Sequence, residues 1–132
     1  MRKRLDPRPS QVGTAAVEFA LVLPLILVVA LALVQTGLLV RDRLLVEAAA
    51  RAGARAAAIQ DDPSAIRSAA LAAAPSLEDG AVELTISRTG VRGEPVTVSL
   101  GYASPVRVPF VAWLFGGPVR MTASTTARQE FG

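Results

Sequence analysis

FALVLPLILVVALALVQTGLLV, residues 19–40, decides the architecture of this chain: 22 consecutive positions carry no charged side chain. Coiled as an α-helix at ~1.5 Å per residue, the run is about 33 Å long, close to the ~30 Å hydrocarbon core of a bilayer. Gln35 and Thr36 are its only notably polar residues, and both lie near its far end. A helix apolar on every side either spans a membrane or hides in a large core. The residues after it are too few to build such a core, so the pattern predicts a transmembrane helix. A cleavable secretory signal is the rival reading, because Ala30-Leu31-Ala32 imitates a signal-peptidase site. Against it, the apolar run continues to Val40, and a signal h-region is shorter.

Charge outside the run sets the expected orientation. The chain has 132 residues and a formal charge of +3. Arg2, Lys3, Arg4 and Arg8, offset by Asp6, account for all of it, so the rest of the chain is formally neutral. Basic flanks stay in the cytoplasm. On the far side Arg41 and Arg43 are partly offset by Asp42. The expectation is a single-pass protein of the cytoplasmic (inner) membrane, its N-terminus cytoplasmic and its C-terminal domain extracytoplasmic. Basicity confined to a leader is not a basic face on a folded domain, which argues against nucleic acid as a partner. The chain has no Cys and no His. That excludes disulfides and thiolate metal sites and removes the commonest general base and metal ligand. No cofactor, metal site or catalytic residue is expected, and an enzyme is not.

Gly13-Thr14-Ala15-Ala16-Val17-Glu18-Phe19 stands directly before the apolar run. A carboxylate at the edge of a membrane helix is costly when buried unpaired. In the plain reading Glu18 occupies the first turn and favours the helix dipole; Thr14 and Glu18 are four apart, so they make no regular capping box. A second reading comes from likeness. Basic leader, Gly, four residues, Glu, then an aromatic resembles a class of prepilin-peptidase substrates. The stretch from Gly13 to Pro24 resembles the start of TadE-like proteins, the minor pseudopilins of tight-adherence (Tad/Flp) pili. Arg51-Ala-Gly-Ala-Arg55-Ala is similar to that family's AAREGARAA segment, with Ala52 in place of its Glu, and Ala127-Arg128-Gln129-Glu130 is a third match.

The resemblance implies a pilin-like α+β fold and cleavage between Gly13 and Thr14. Glu18 would then be the fifth residue of the mature chain and, with Phe19, serve assembly. It implies as partners membrane lipid, a prepilin peptidase, other pilin or pseudopilin subunits and Tad membrane assembly proteins. Location in a filament after processing follows from it, as does a minor role, since major subunits of these pili are little more than the helix. The alternative is a permanently anchored extracytoplasmic binding or assembly module that is never cleaved.

Beyond the membrane, residues 41–59 are rich in helix formers, so the helix should continue. Glu47 and Arg51 have favourable i,i+4 spacing. Leu45, Ala48, Ala49, Ala52, Ala56 and Ile59 form a narrow apolar stripe, expected to pack on the protein's own sheet at least through Leu45 and Ile59. Pro24, inside the apolar run, permits a kink. Asp62 as N-cap and Pro63 at the first position should open a short second helix through Ala74. Residues 82–87, 96–102 and, more weakly, 119–127 alternate as strands, with a turn over 89–93. The expected organisation is a leader (1–13), a transmembrane helix (14–40), its extramembrane continuation (41–59) and a small α+β domain (60–132) with a three-stranded antiparallel sheet. Residues 105–118, PVRVPFVAWLFGGP, fit no strand, because Pro105, Pro109 and Pro118 interrupt pairing. Phe110, Val111, Trp113, Leu114 and Phe115 make this the most hydrophobic stretch outside the anchor, with Phe110, Trp113 and Phe115 the candidate contact residues. It reads as a loop folded over the sheet, as a partner contact, or as a membrane contact.

Overall fold

A computed structural model describes residues 11–131. Arg2, Lys3, Arg4 and Arg8 of the expected leader lie outside the described residues. The architecture is α+β as expected. Helix α1 (Gln11–Ile59) has 49 residues, so it is about 74 Å long at ~1.5 Å per residue. It runs through Pro24 without a break in its assignment. Helix α2 (Pro63–Ala72) follows a sharp stop. A 3-10 turn (Asp79–Ala81) leads into strands β1 (Val82–Arg88) and β2 (Pro95–Ser104). A one-turn helix, α3 (Ala112–Phe115), separates β2 from β3 (Val119–Arg128). The three strands form one antiparallel sheet in the order β1-β2-β3.

The two ends of α2 show how local chemistry sets its limits. The Asp62 carboxylate accepts from the Ser64 N–H at 2.9 Å and from the Ser64 hydroxyl. These bonds, the hydroxyl's foremost, hold the Asp62 carboxyl below its ordinary pKa. Pro63 has no N–H to leave unsatisfied at the first position. The helix ends at Ala72, with Ala73 as its C-cap, slightly short of the expected Ala74.

Strict alternation carries the sheet. On β2 every second residue from Val96 to Ser104 is buried. The inward rows cross the sheet in register, Leu84 beside Leu100 beside Ala123, and Val82 beside Tyr102 beside Met121. On the outer face hydroxyls pair across strands, Thr97 with Thr126 at 2.8 Å and Ser99 with Ser124 at 3.1 Å. The sheet end holding Pro95 and Arg128 lies beside the C-terminal end of α1, where the Glu130 N–H donates to the Ala58 carbonyl at 2.8 Å. This bond satisfies one of the carbonyls a helix end leaves open. Arg88 closes the same end with an ion pair to Asp61 at 2.7 Å and its guanidinium over the Phe131 ring.

The C-terminal half of α1 packs against β2, β3 and α2. Its buried residues are Asp42, Val46, Ala49, Ala50, Gly53, Ala54 and Ala56–Ala58. The expected stripe is therefore displaced. Ile59 is 65 % exposed and Leu45, Ala48 and Ala52 are only half-buried. Contact with two different layers buries a broader arc than one sheet would, and a run of alanines gives little contrast to phase the helix. The Glu47–Arg51 pair is loose at 3.9 Å, because Arg43 holds the same carboxylate at 2.9 Å.

Candidate functional site

Two groups of residues, at opposite ends of the apolar run, are candidates for function. Gly13, Thr14, Glu18 and Phe19 all lie on α1, near its start. All four are exposed, and the position a Gly13 side chain would take is open space. Thr14 and Glu18 are four residues apart, hence neighbours on one helix face. The Gly13–Thr14 bond is helical in this structure. From Val17 to Val34 the large apolar side chains are exposed except Val28 and Leu31, which are half-buried, and none is fully buried. One helix of the described residues is thus long and apolar enough to cross a membrane, which fits a single-pass membrane protein.

The second group was not foreseen. Gln35 and Asp42 sit seven residues apart, about two turns, so both face the same way. Both side chains are buried, Gln35 completely and Asp42 to 1 % exposure. The Gln35 side-chain oxygen accepts two backbone N–H bonds, from Arg107 and Val108, each 3.0 Å. Asp42 Oδ2 accepts from the Ser104 hydroxyl at 2.6 Å and from Arg107 Nη1 at 2.7 Å. Arg107 also lies 3.5 Å from the Tyr102 hydroxyl. Its guanidinium pKa is pushed up, chiefly by the hydrogen bond to Asp42, with desolvation opposing. The end of β2 is thereby bolted to the helix just where the apolar run gives way to charge.

That bolt decides where residues 105–118 go. β2 reaches Asp42 at Ser104, and the chain then continues along α1 to Gln35, toward the apolar half of the helix. The loop's first residues are held by α1 through Gln35 and Asp42. The loop turns back through α3 and re-enters the sheet at Val119, opposite Ser104. Val108 and Val111 are buried. Of the three aromatic residues singled out from sequence, Phe110 and Trp113 are 79 % and 73 % exposed, while Phe115 is half-buried. Leu114, of the same hydrophobic stretch, is exposed beside them. Glu18 and Gln35 are 17 residues apart on α1, about 26 Å at ~1.5 Å per residue, so the loop is remote from the N-terminal group.

Gln35 and Asp42 had only a weak signal in the sequence. Gln35 is the one long polar side chain of the apolar run, and Asp42 has i+7 spacing from it. Their partners, Ser104 and Arg107, are more than sixty positions away, and no local pattern ties them together.

Residues 13–55 match the family model described as TadE-like protein. No curated protein and no solved structure matches the chain. The matched third of the chain contains Gly13, Thr14, Glu18, Gln35, Asp42 and Gly53. It ends before the sheet, so Arg107, the 105–118 loop and the tail Ala127–Glu130 lie beyond it.

Proposed function

We propose that this protein is a minor pseudopilin, a pilus-assembly subunit of a Tad-type (Flp) pilus or secretion apparatus. The TadE-like match over residues 13–55 supports a Tad pilus-associated protein in outline. The observation that carries the finer reading is the start of α1: a Gly with open space around it, a carboxylate one turn on, and then a helix apolar on every side. Such a rod rests in lipid as a reservoir. In a filament, neighbouring rods replace the lipid contacts.

The processing step follows the same geometry. A peptidase that must close on the backbone is admitted at Gly13, which offers no side chain to clash. Cleavage leaves an ammonium on Thr14. In a packed array Glu18 of one subunit answers that amine on its neighbour, since two charges desolvated together cost far less than either alone. The extramembrane α+β domain is what distinguishes a minor subunit from a bare helical one.

Two expected outcomes test this. Coexpressed with its prepilin peptidase and extracted from membranes, the protein should have the intact mass of a chain beginning at Thr14, and Gly13→Leu should keep the first thirteen residues. A wild-type chain that still begins at Met1 would instead support a permanently anchored module, and one beginning near Leu33 a secreted domain. Glu18→Ala should be inserted and trimmed normally yet be missing from sheared filament fractions. Its recovery at wild-type level would remove the assembly role of the carboxylate.

A further inference from the structure

The loop between β2 and β3 exposes a cluster that neither the helix nor the sheet requires. Phe110 and Trp113 present most of their surface, and Leu114 about half of its own. Soluble surfaces seldom gather three large apolar side chains within five residues. The backbone is committed to this display. Phe110 is the only described non-glycine residue with positive φ, at 65°. A phenylalanine holds that conformation only where its surroundings impose it. The imposing contacts are visible: buried Val108 and Val111 on either side, and the Trp113 indole N–H donating to the Phe110 carbonyl at 2.9 Å. That last bond also satisfies the only polar atom of the tryptophan side chain. The outward surface of the ring therefore has no donor that needs water.

Position identifies what this surface meets. The Gln35 bonds to Arg107 and Val108 fix the loop's height along α1. Gln35 lies within the charge-free run, five residues before its end at Val40, which is about 8 Å at ~1.5 Å per residue. The loop is thus level with the boundary between the apolar half of α1 and the charged half beginning at Arg41. Around the same height on α1, Leu33, Val34 and Val40 are also exposed. Tryptophan is enriched at membrane–water interfaces, and with its N–H bonded to the Phe110 carbonyl this ring can enter the apolar side of that boundary without burying an unsatisfied donor.

We propose that Phe110, Trp113 and Leu114 insert into the bilayer from which α1 emerges, making the loop a second, interfacial membrane contact. The inference rests on α1 spanning a membrane, and not on pseudopilin assembly. The helix alone leaves the domain free to rotate about its axis. The loop adds contact on one side of α1, so it fixes which side of the domain faces the membrane.

Trp113 is the chain's single tryptophan, so its fluorescence reports this loop alone. The full chain is reconstituted into phosphatidylcholine vesicles, checked by flotation, and compared with vesicles whose lipids carry bromine on the upper acyl chain. The expected result is blue-shifted emission, most of it lost in brominated lipid, with little quenching by external iodide. Strong iodide quenching with no bromine effect places the loop in water and overturns the proposal. Blue emission insensitive to both quenchers means that protein, such as a second copy, covers the loop, which also overturns it. Failure to float with the vesicles overturns the spanning helix and the loop contact together, whereas flotation with unquenched Trp113 overturns the loop contact alone.

Discussion

Asp42→Ala should destabilise the α+β domain by about 2–4 kcal/mol. The carboxylate is fully buried and serves two partners, the Ser104 hydroxyl and the Arg107 guanidinium. Its removal leaves the buried Ser104 hydroxyl without an acceptor, which costs about 1–3 kcal/mol by itself. Arg107 loses its counter-ion, but its side chain is about a third exposed and finds some water. That partial solvation is why the loss should fall below the ~3–5 kcal/mol of a wholly enclosed pair. The measurement is guanidinium unfolding of the detergent-solubilised chain, followed through the near-ultraviolet signal of Tyr102 and Trp113. Asp42→Asn keeps an acceptor for Ser104 and should lose less. The double variant with Arg107→Ala should be well short of additive, because both changes break one contact. An unaltered midpoint for Asp42→Ala would show that the bolt contributes nothing.

The second large effect is expected at Gly53, in the middle of the extramembrane half of α1. A Cβ there would stand 3.2 Å from a Val98 methyl and 3.4 Å from the Ala70 Cβ, between the sheet and α2. Gly53→Leu has no room, and forcing the layers apart should cost about 1–3 kcal/mol or more. Gly53→Ala is different in kind. The methyl group demands a few tenths of an ångström from Val98, while replacing a mid-helix glycine gains up to about 1 kcal/mol of helix propensity. The two terms nearly cancel, so Gly53→Ala should be close to neutral in the same unfolding measurement. A Gly53→Leu protein as stable as wild type would mean that the close approach of α1 to Val98 and Ala70 is not maintained in solution.

These two positions show where the sequence is silent. In the sequence Asp42 is only a partial offset to Arg41 and Arg43. Only its approach to Ser104 and Arg107 makes it the buried centre of a network. Gly53 was one letter of the Arg51–Ala56 segment and carried no packing meaning of its own. By contrast, the Asp62 cap and the Pro63 start were correctly read, because both act within two or three residues. The β2 pattern was read for the same reason, since alternation over Val96–Tyr102 is a local property. The stripe on α1 failed for the opposite reason. Alanines pack on any side, so which arc of the helix is covered depends on how many layers reach it.

Length, hydropathy and local spacing were enough to determine a membrane-length apolar helix, its continuation beyond the charged boundary, a capped second helix, three alternating strands, and a Gly–Glu pair at the helix start matching the TadE-like pattern. Each of these follows from residues within a turn or a strand of one another. Tertiary structure alone decided that Gln35 and Asp42 are anchoring points, that Arg107 is their partner, and that the loop after β2 starts along α1 near the edge of the apolar run. Those outcomes depend on bonds between residues more than sixty positions apart. Such pairs form only once the sheet has registered against the helix, and no periodicity in a single chain encodes that meeting.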